Sequence, residues 1–207
     1  MSAVRRLFSR PPPEFIRDGR PLGGDVDWAS FPWPAPATYD RKAILRSLRA
    51  VMAPHPRDWS DPATMVRVAV GNDHRGTVYP AAVAMTEQLL TIVKDYPGDP
   101  RQVALCVLDD WWSGYEPEQG FESYLTPNGT RVAVLPEIAR QVTDATDLLT
   151  QIATQSPIPE EATLARNLLQ VTPLGWGHTV DEHGEFHWWG GHLDRDGVVH
   201  FPDRDIS

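Results

Sequence analysis

Lysine is nearly missing from this chain. Lys42 and Lys94 are the only two, and the other 17 of its 19 basic residues are arginine. Neither lysine follows a glycine, so there is no Gly-x-x-x-x-Gly-Lys phosphate-binding loop. Cysteine occurs once, as Cys106, which excludes an intrachain disulfide. It lies within an apolar helical stripe, the setting of a core thiol and not of a nucleophile. No Gly-x-Ser-x-Gly elbow occurs. No run of about 18 apolar residues exists, so no transmembrane helix is expected. Arg5, Arg6 and Arg10 are followed by Pro11-Pro12-Pro13 where a signal peptide would carry its apolar region. A cytoplasmic setting is therefore expected. Positive charge is also short overall: the formal net charge is −9 over 207 residues. That argues against a general nucleic-acid binder, which needs a positive face for phosphate contacts.

The charge is unevenly spread. Residues 1–20 hold five arginines against Glu14 and Asp18. Residues 87–125 hold eight acids against Lys94 and Arg101, and residues 178–207 hold seven acids against Arg195 and Arg204. Such blocks are ordinarily solvated faces, but on a folded protein they also suit a basic partner. The length is enough for one well-buried domain.

Apolar periodicity predicts a mainly α chain. Residues 1–38 read as an irregular arm rich in Pro and Arg, disordered over about its first 15 residues. Trp28, Phe31 and Trp33 are expected to dock this arm on a helical body at 39–172. Helix 1 is predicted from Asp40 to Met52, capped by Asp40, with Ile44, Leu48, Val51 and Met52 inward. Helix 2 starts at Ser60 or Asp61, carries Met65, Val66, Ala69 and Val70 as its stripe, and stops at Gly71. Helix 3 follows Gly76-Thr77 with Pro80 in its first turn and Val83, Leu89, Leu90 and Val93 in the core. Helix 4 takes Asp99 as N-cap and Pro100 as its first residue, and ends at Gly114. Residues 113–129 are expected to form an acidic loop. Helix 5 is predicted from Leu135 or Pro136 to Ala153, and helix 6 from Pro159 to Val171. The Pro-led helix starts recur at a loose period of about 56 residues.

Beyond Pro173 the period changes to two, and residues 173–207 read as a small β-meander packed on the helices. Its turns Asp181–Gly184 and Asp194–Gly197 share the hairpin form Asp-x-x-Gly. Five of the seven histidines lie here. His183 and His187 sit about 13 Å apart on a strand, too far for one metal. His192 opposite His200, or His178 opposite His187 in one of three registers, are the pairings that could share one. The order His-Gly-Glu-Phe-His is not the zincin motif, and the plain reading is strand residues, with no metal or other cofactor assigned.

The string His74-Arg75-Gly76-Thr77-Val78-Tyr79-Pro80-Ala81-Ala82, followed by a Leu-rich helix and then Asp99-Pro100, resembles bacterial HEAT-repeat-like proteins. The Arg-for-Lys bias, suggestive of a GC-rich bacterial genome, agrees. The resemblance covers 73–112 well and 130–171 weakly, and it leaves out the arm and the tail. It implies an antiparallel α-α hairpin (HEAT-like) array that binds another protein and is not an enzyme. Small acidic bacterial proteins of this kind often look like immunity proteins that neutralise a cognate toxin. On that reading the partner surface consists of Trp112, Tyr115, Glu116, Glu118, Phe121 and Glu122, with Trp188, Trp189, Asp194 and Asp196 of the tail. The alternatives are a metal-dependent enzyme using the C-terminal histidines, and an adaptor or nucleic-acid-associated protein using the Arg-rich N-terminus.

Overall fold

A computed structural model describes residues 15–16, 20–35, 38–53 and 60–170. It also describes four short strand segments at 178–180, 186–188, 192–193 and 199–200. The expected disorder of the first residues, the two Asp-x-x-Gly turns, and Trp189, Asp194 and Asp196 lie outside the described residues.

The chain is mainly helical, with small sheets. Its helices are α1 (Arg41–Val51), α2 (Ser60–Ala69), α3 (Ala81–Asp95), α4 (Asp99–Gly114), α5 (Val134–Asp144), α6 (Thr146–Gln155) and α7 (Pro159–Leu168). None of the described helices is long and apolar enough to cross a membrane. Asp40 caps α1 as the sequence predicts, its carboxylate accepting from the Lys42 and Ala43 amides at 2.8 and 3.1 Å. The predicted inward residues of α1 are all buried, as are Val66, Ala69 and Val70 of the α2 stripe; Met65 is half-buried.

Several boundaries differ from expectation: α7 ends at Leu168 where Val171 was expected, and Pro80 is the N-cap of α3 and not part of its first turn. The N-cap of α4 is Gly98, at φ +92°, so Asp99 and Pro100 each sit one place further inside the helix. The expected single helix from Leu135 to Ala153 is two, broken at Ala145. The Ala145 amide turns back to the Val142 carbonyl, and the Thr146 hydroxyl donates to the Thr143 carbonyl at 2.5 Å. These local bonds replace a turn of α-helix without a Gly or Pro to announce it.

Helix α4 is the hub. It packs against α2, α3 and α7, and touches α1; α3 also packs on α5, and α6 on α7. Ala104, Val107, Leu108 and Trp111 form its fully inward stripe at three- and four-residue spacing. The arm joins the same core. Trp28 is fully buried, its indole N–H donating to the Gly23 carbonyl at 2.9 Å, while Phe31 and Trp33 pack beside it against Tyr124, Tyr39 and Tyr79.

One buried carboxylate ties the helices at the far end. Glu161, in the first turn of α7, is 1% exposed. It accepts from the Gly98 amide at 2.9 Å, the Ser156 hydroxyl at 2.6 Å and Arg101 at 3.3 Å. The α3–α4 turn is thereby fastened to the start of α7.

The sheets are minimal. Strands β1 (Phe15–Ile16) and β2 (Arg20–Pro21) pair antiparallel. Strand β4 (Thr77–Val78) lies between β3 (Gly71–Asn72), antiparallel to it, and β5 (Glu116–Pro117), parallel to it. β6 (Ser123–Leu125) and β7 (Arg131–Ala133) form a hairpin. The acidic segment 113–129 is therefore not a plain loop, because it carries β5 and β6. In the tail, β8 (His178–Val180) pairs with β9 (Phe186–Trp188), and β10 (His192–Leu193) with β11 (Val199–His200). Among the described residues these are two separate ladders, not one continuous meander.

Candidate functional site

The Asp73–Pro80 string and the acidic segment meet at one edge of the molecule, because the parallel β4–β5 pairing sets Thr77 opposite Glu116 and Val78 opposite Pro117. The Glu116 amide donates to the Gly76 carbonyl and the Glu118 amide to the Val78 carbonyl, both at 2.9 Å. Two glycines make this approach work. A Cβ on Gly71 would stand 2.3 Å from the Thr77 carbonyl oxygen, so only glycine admits the β3–β4 pair. Gly76, at φ +62°, turns the chain from a single 3₁₀ turn at Asp73–Arg75 into β4.

From this edge a polar strip runs across α2, α4 and α7. Arg67 of α2 donates to Asp73 at 2.7 Å, to Thr64 at 2.9 Å, and to Asp110 of α4. The Tyr115 hydroxyl donates to Asp73 at 2.5 Å. Next along α4, Asp109 accepts from Asn167 of α7 at 3.4 Å. On the other side of the edge Glu118 accepts from Thr77 at 2.6 Å and from the largely exposed Arg75 at 3.3 Å.

The electrostatics follow from partial burial. Burial pushes the Asp73 carboxyl up, but the hydrogen bonds from Tyr115 and Arg67 and the charge of Arg67 outweigh it, and the net shift is downward. Asp110 goes the other way: its burial outweighs the Arg67 ion pair and its carboxyl is raised. Asp109 is raised by burial and by the neighbouring Asp110, against the hydrogen bond from Asn167. Burial, then the Asp73 carboxylate, raise the Tyr115 phenol. Burial and Asp110 push the Cys106 thiol up to about 11. A thiol held there is protonated at neutral pH and is a poor nucleophile, as its place in α4 suggests.

The residues assigned to a partner surface are spread over several places in the fold. Tyr115, Glu116 and Glu118 are brought together with Asp73 by β4 and β5, though Tyr115 and Glu118 spend their polar atoms on internal partners. Trp112 is half-buried against the core. Phe121 lines a groove of about 480 Å³ between the arm residues Ser30–Pro32 and the β6–β7 hairpin, where Leu125 is 57% exposed. Glu122 accepts from the Gly120 amide at 2.9 Å and shapes the turn beside that groove. Trp188 is placed on β9, opposite His178.

That last pairing overturns one histidine expectation. His178 stands opposite Trp188, and His187 opposite Thr179, so the His178–His187 register is not formed. The observed register is one position away from that pairing, which is enough to put the two histidines on opposite faces of the ladder. His192 and His200 do stand opposite each other. Among the described residues no group of three or more His, Cys, Asp or Glu side chains is gathered for a metal ion.

Arg67 and Asn167 are the strip residues that sequence reading missed. Arg67 also bonds its neighbours Thr64 and Asp73, but its partner on the other helix, Asp110, lies 43 positions away, and Asn167 lies 58 from Asp109, with no local pattern linking either pair. Comparison with protein-family models, curated proteins and solved structures finds no match to this chain.

Proposed function

We propose that this chain is a non-enzymatic, protein-binding module of HEAT-like build, an immunity or inhibitor protein that neutralises a cognate bacterial toxin in the cytoplasm. The observation that carries the reading is the parallel β4–β5 pairing. It turns an acidic, aromatic segment into a fixed edge in which Glu116, Glu118 and Tyr115 stand beside Asp73 and the Asp109–Asp110 strip. Side chains held in place before contact lose little entropy on binding, which favours affinity over adaptability. An acidic edge with two guanidiniums, Arg67 and Arg75, among more carboxylates suits a basic partner and speeds its encounter. Phe121 in its groove and exposed Leu125 supply the apolar contacts that such an edge needs at its centre.

The hairpin-array reading is supported by the order of packing. Helices α1 and α2, α3 and α4, and α6 and α7 pair as neighbours, and α4 lies between α2 and α7. This is the order expected if hairpins stack.

Co-expression tests the function. The chain is expected to rescue cells from the toxic product of an adjacent gene and to form a complex with it that weakens as salt rises. Phe121→Ala combined with Glu116→Lys and Glu122→Lys is expected to abolish both. Rescue that survives this triple change, or no complex with the adjacent gene's product, counts against the proposal.

A further inference from the structure

A groove lies away from the acidic edge, between α3 and the α5–α6 bend. It encloses about 910 Å³, within the range of pockets that take up ligands. Its floor is apolar: Leu90 of α3, with Ala145 and Leu148 from the bend. The break at Ala145 creates the groove, since a continuous helix would have carried α6 onward in line with α5.

Four carboxylates line it, Glu87, Glu137, Asp144 and Asp147, against Lys94 and Arg140. Arg140 is already shared between Glu137 at 2.6 Å and Asp144 at 2.5 Å. Negative charge is left over, chiefly at Glu87 on one wall and Asp147 on the other.

We infer that this groove is a docking site for a basic, amphipathic peptide segment of a partner protein. An aliphatic side chain of that segment lies on Leu90 and Leu148. A flanking lysine or arginine meets Glu87 or Asp147. The groove has an uncovered apolar floor and four carboxylates against two cations, and such a segment matches both. The site is independent of the acidic edge and of the toxin reading.

The test uses the full chain and three fluorescein-labelled twelve-residue peptides in fluorescence polarisation. One is built from Lys, Leu and Ala with leucines four apart. The second has Glu in place of every Lys, and the third has Ser in place of every Leu. Saturable binding of the first peptide alone is expected. Glu87→Lys with Asp147→Lys should weaken it about tenfold or more, two exposed charges being reversed. The same change at Asp27 and Glu160, both outside the groove, should have little effect. Equal loss in both reversal pairs would reduce the effect to general charge attraction and overturn the site. So would no saturable binding by the parent chain. A concentration-dependent dimer, abolished by the Glu87 and Asp147 reversals, would replace the peptide with a second copy of this chain and overturn the proposed occupant.

Discussion

Replacing Glu161 by alanine is the sharpest test of how the helices are held together. The carboxylate is 1% exposed and receives three donors, from Gly98, Ser156 and Arg101. Alanine strands all three. Removing one partner of a buried ion pair costs about 3–5 kcal/mol, mostly through the charge left behind. Arg101 is 15% exposed and also donates to the Val93 carbonyl at 2.7 Å. Part of its charge therefore stays satisfied, and the lower end, about 3 kcal/mol, is expected. Glu161→Gln keeps an acceptor for the Gly98 amide but turns donors toward Arg101, so about 1–2 kcal/mol is expected. For a chain of this length each kcal/mol moves Tm by about 2–4 °C. Urea unfolding followed by far-ultraviolet circular dichroism measures both variants. Adding Arg101→Met to Glu161→Ala should recover part of the loss by removing the stranded guanidinium. A Glu161→Ala loss under about 1 kcal/mol, the size of an ordinary surface change, would refute the reasoning. So would a double variant whose loss is the plain sum of the two single losses.

Further expectations concern the strip and its supporting turn. Asp109 has a raised carboxyl, so its ionisation opposes folding above that raised value. Asp109→Asn is therefore expected to raise Tm at pH 7, and the gain should vanish below about pH 4, where the unfolded carboxyl is protonated as well. An equal gain at every pH would contradict the assignment. Asp73 is lowered, so its contribution is present above the unfolded carboxyl value and lost as pH falls through the folded one. Tyr115→Phe removes a hydrogen bond that holds it low and should move acid unfolding to higher pH. Cys106 should alkylate with iodoacetamide at pH 8 roughly a hundredfold more slowly than a free thiol, reflecting its thiolate fraction. Reaction at the rate of a free thiol would place it outside the helix core. Gly71→Ala should open the β3–β4 pair, read as faster exchange of the Tyr79 amide, which bonds to the Val70 carbonyl. Unchanged exchange would show that the backbone there has room to give.

What the sequence disclosed was mostly local. Asp40 before an apolar stripe was readable because a cap and its helix lie within a few residues. On α4 Trp112 was expected on the apolar face, yet Trp111, which continues the Ala104–Val107–Leu108 spacing, is the fully buried one and Trp112 is half-buried; the burial of Val103, Leu105 and Leu108 was readable. The break at Ala145 was not, because apolar residues continue through it and the bonds that make it come from unremarkable threonines. Glu161 gave no signal either. A glutamate in a first helical turn is ordinarily solvated, and this one is buried by the α3–α4 turn, about sixty positions earlier in the chain. The acidic segment was recognised by composition, but its pairing with the Asp73–Pro80 string depends on a parallel contact across a whole helical hairpin, which no periodicity reports.

That pairing also sets an order of events. β4 enters the α3–α4 hairpin and β5 leaves it, so the strands meet only once the two helices have folded back on each other. Closing the hairpin first removes most of the chain entropy that would otherwise oppose the strand contact. The two strand residues then act as a latch on a finished unit. The Glu116 and Glu118 amides should gain protection late in refolding and lose it early in unfolding, ahead of the α3–α4 core. A partner gripping the acidic edge would hold the latch shut and be felt as slower opening of the hairpin that carries it.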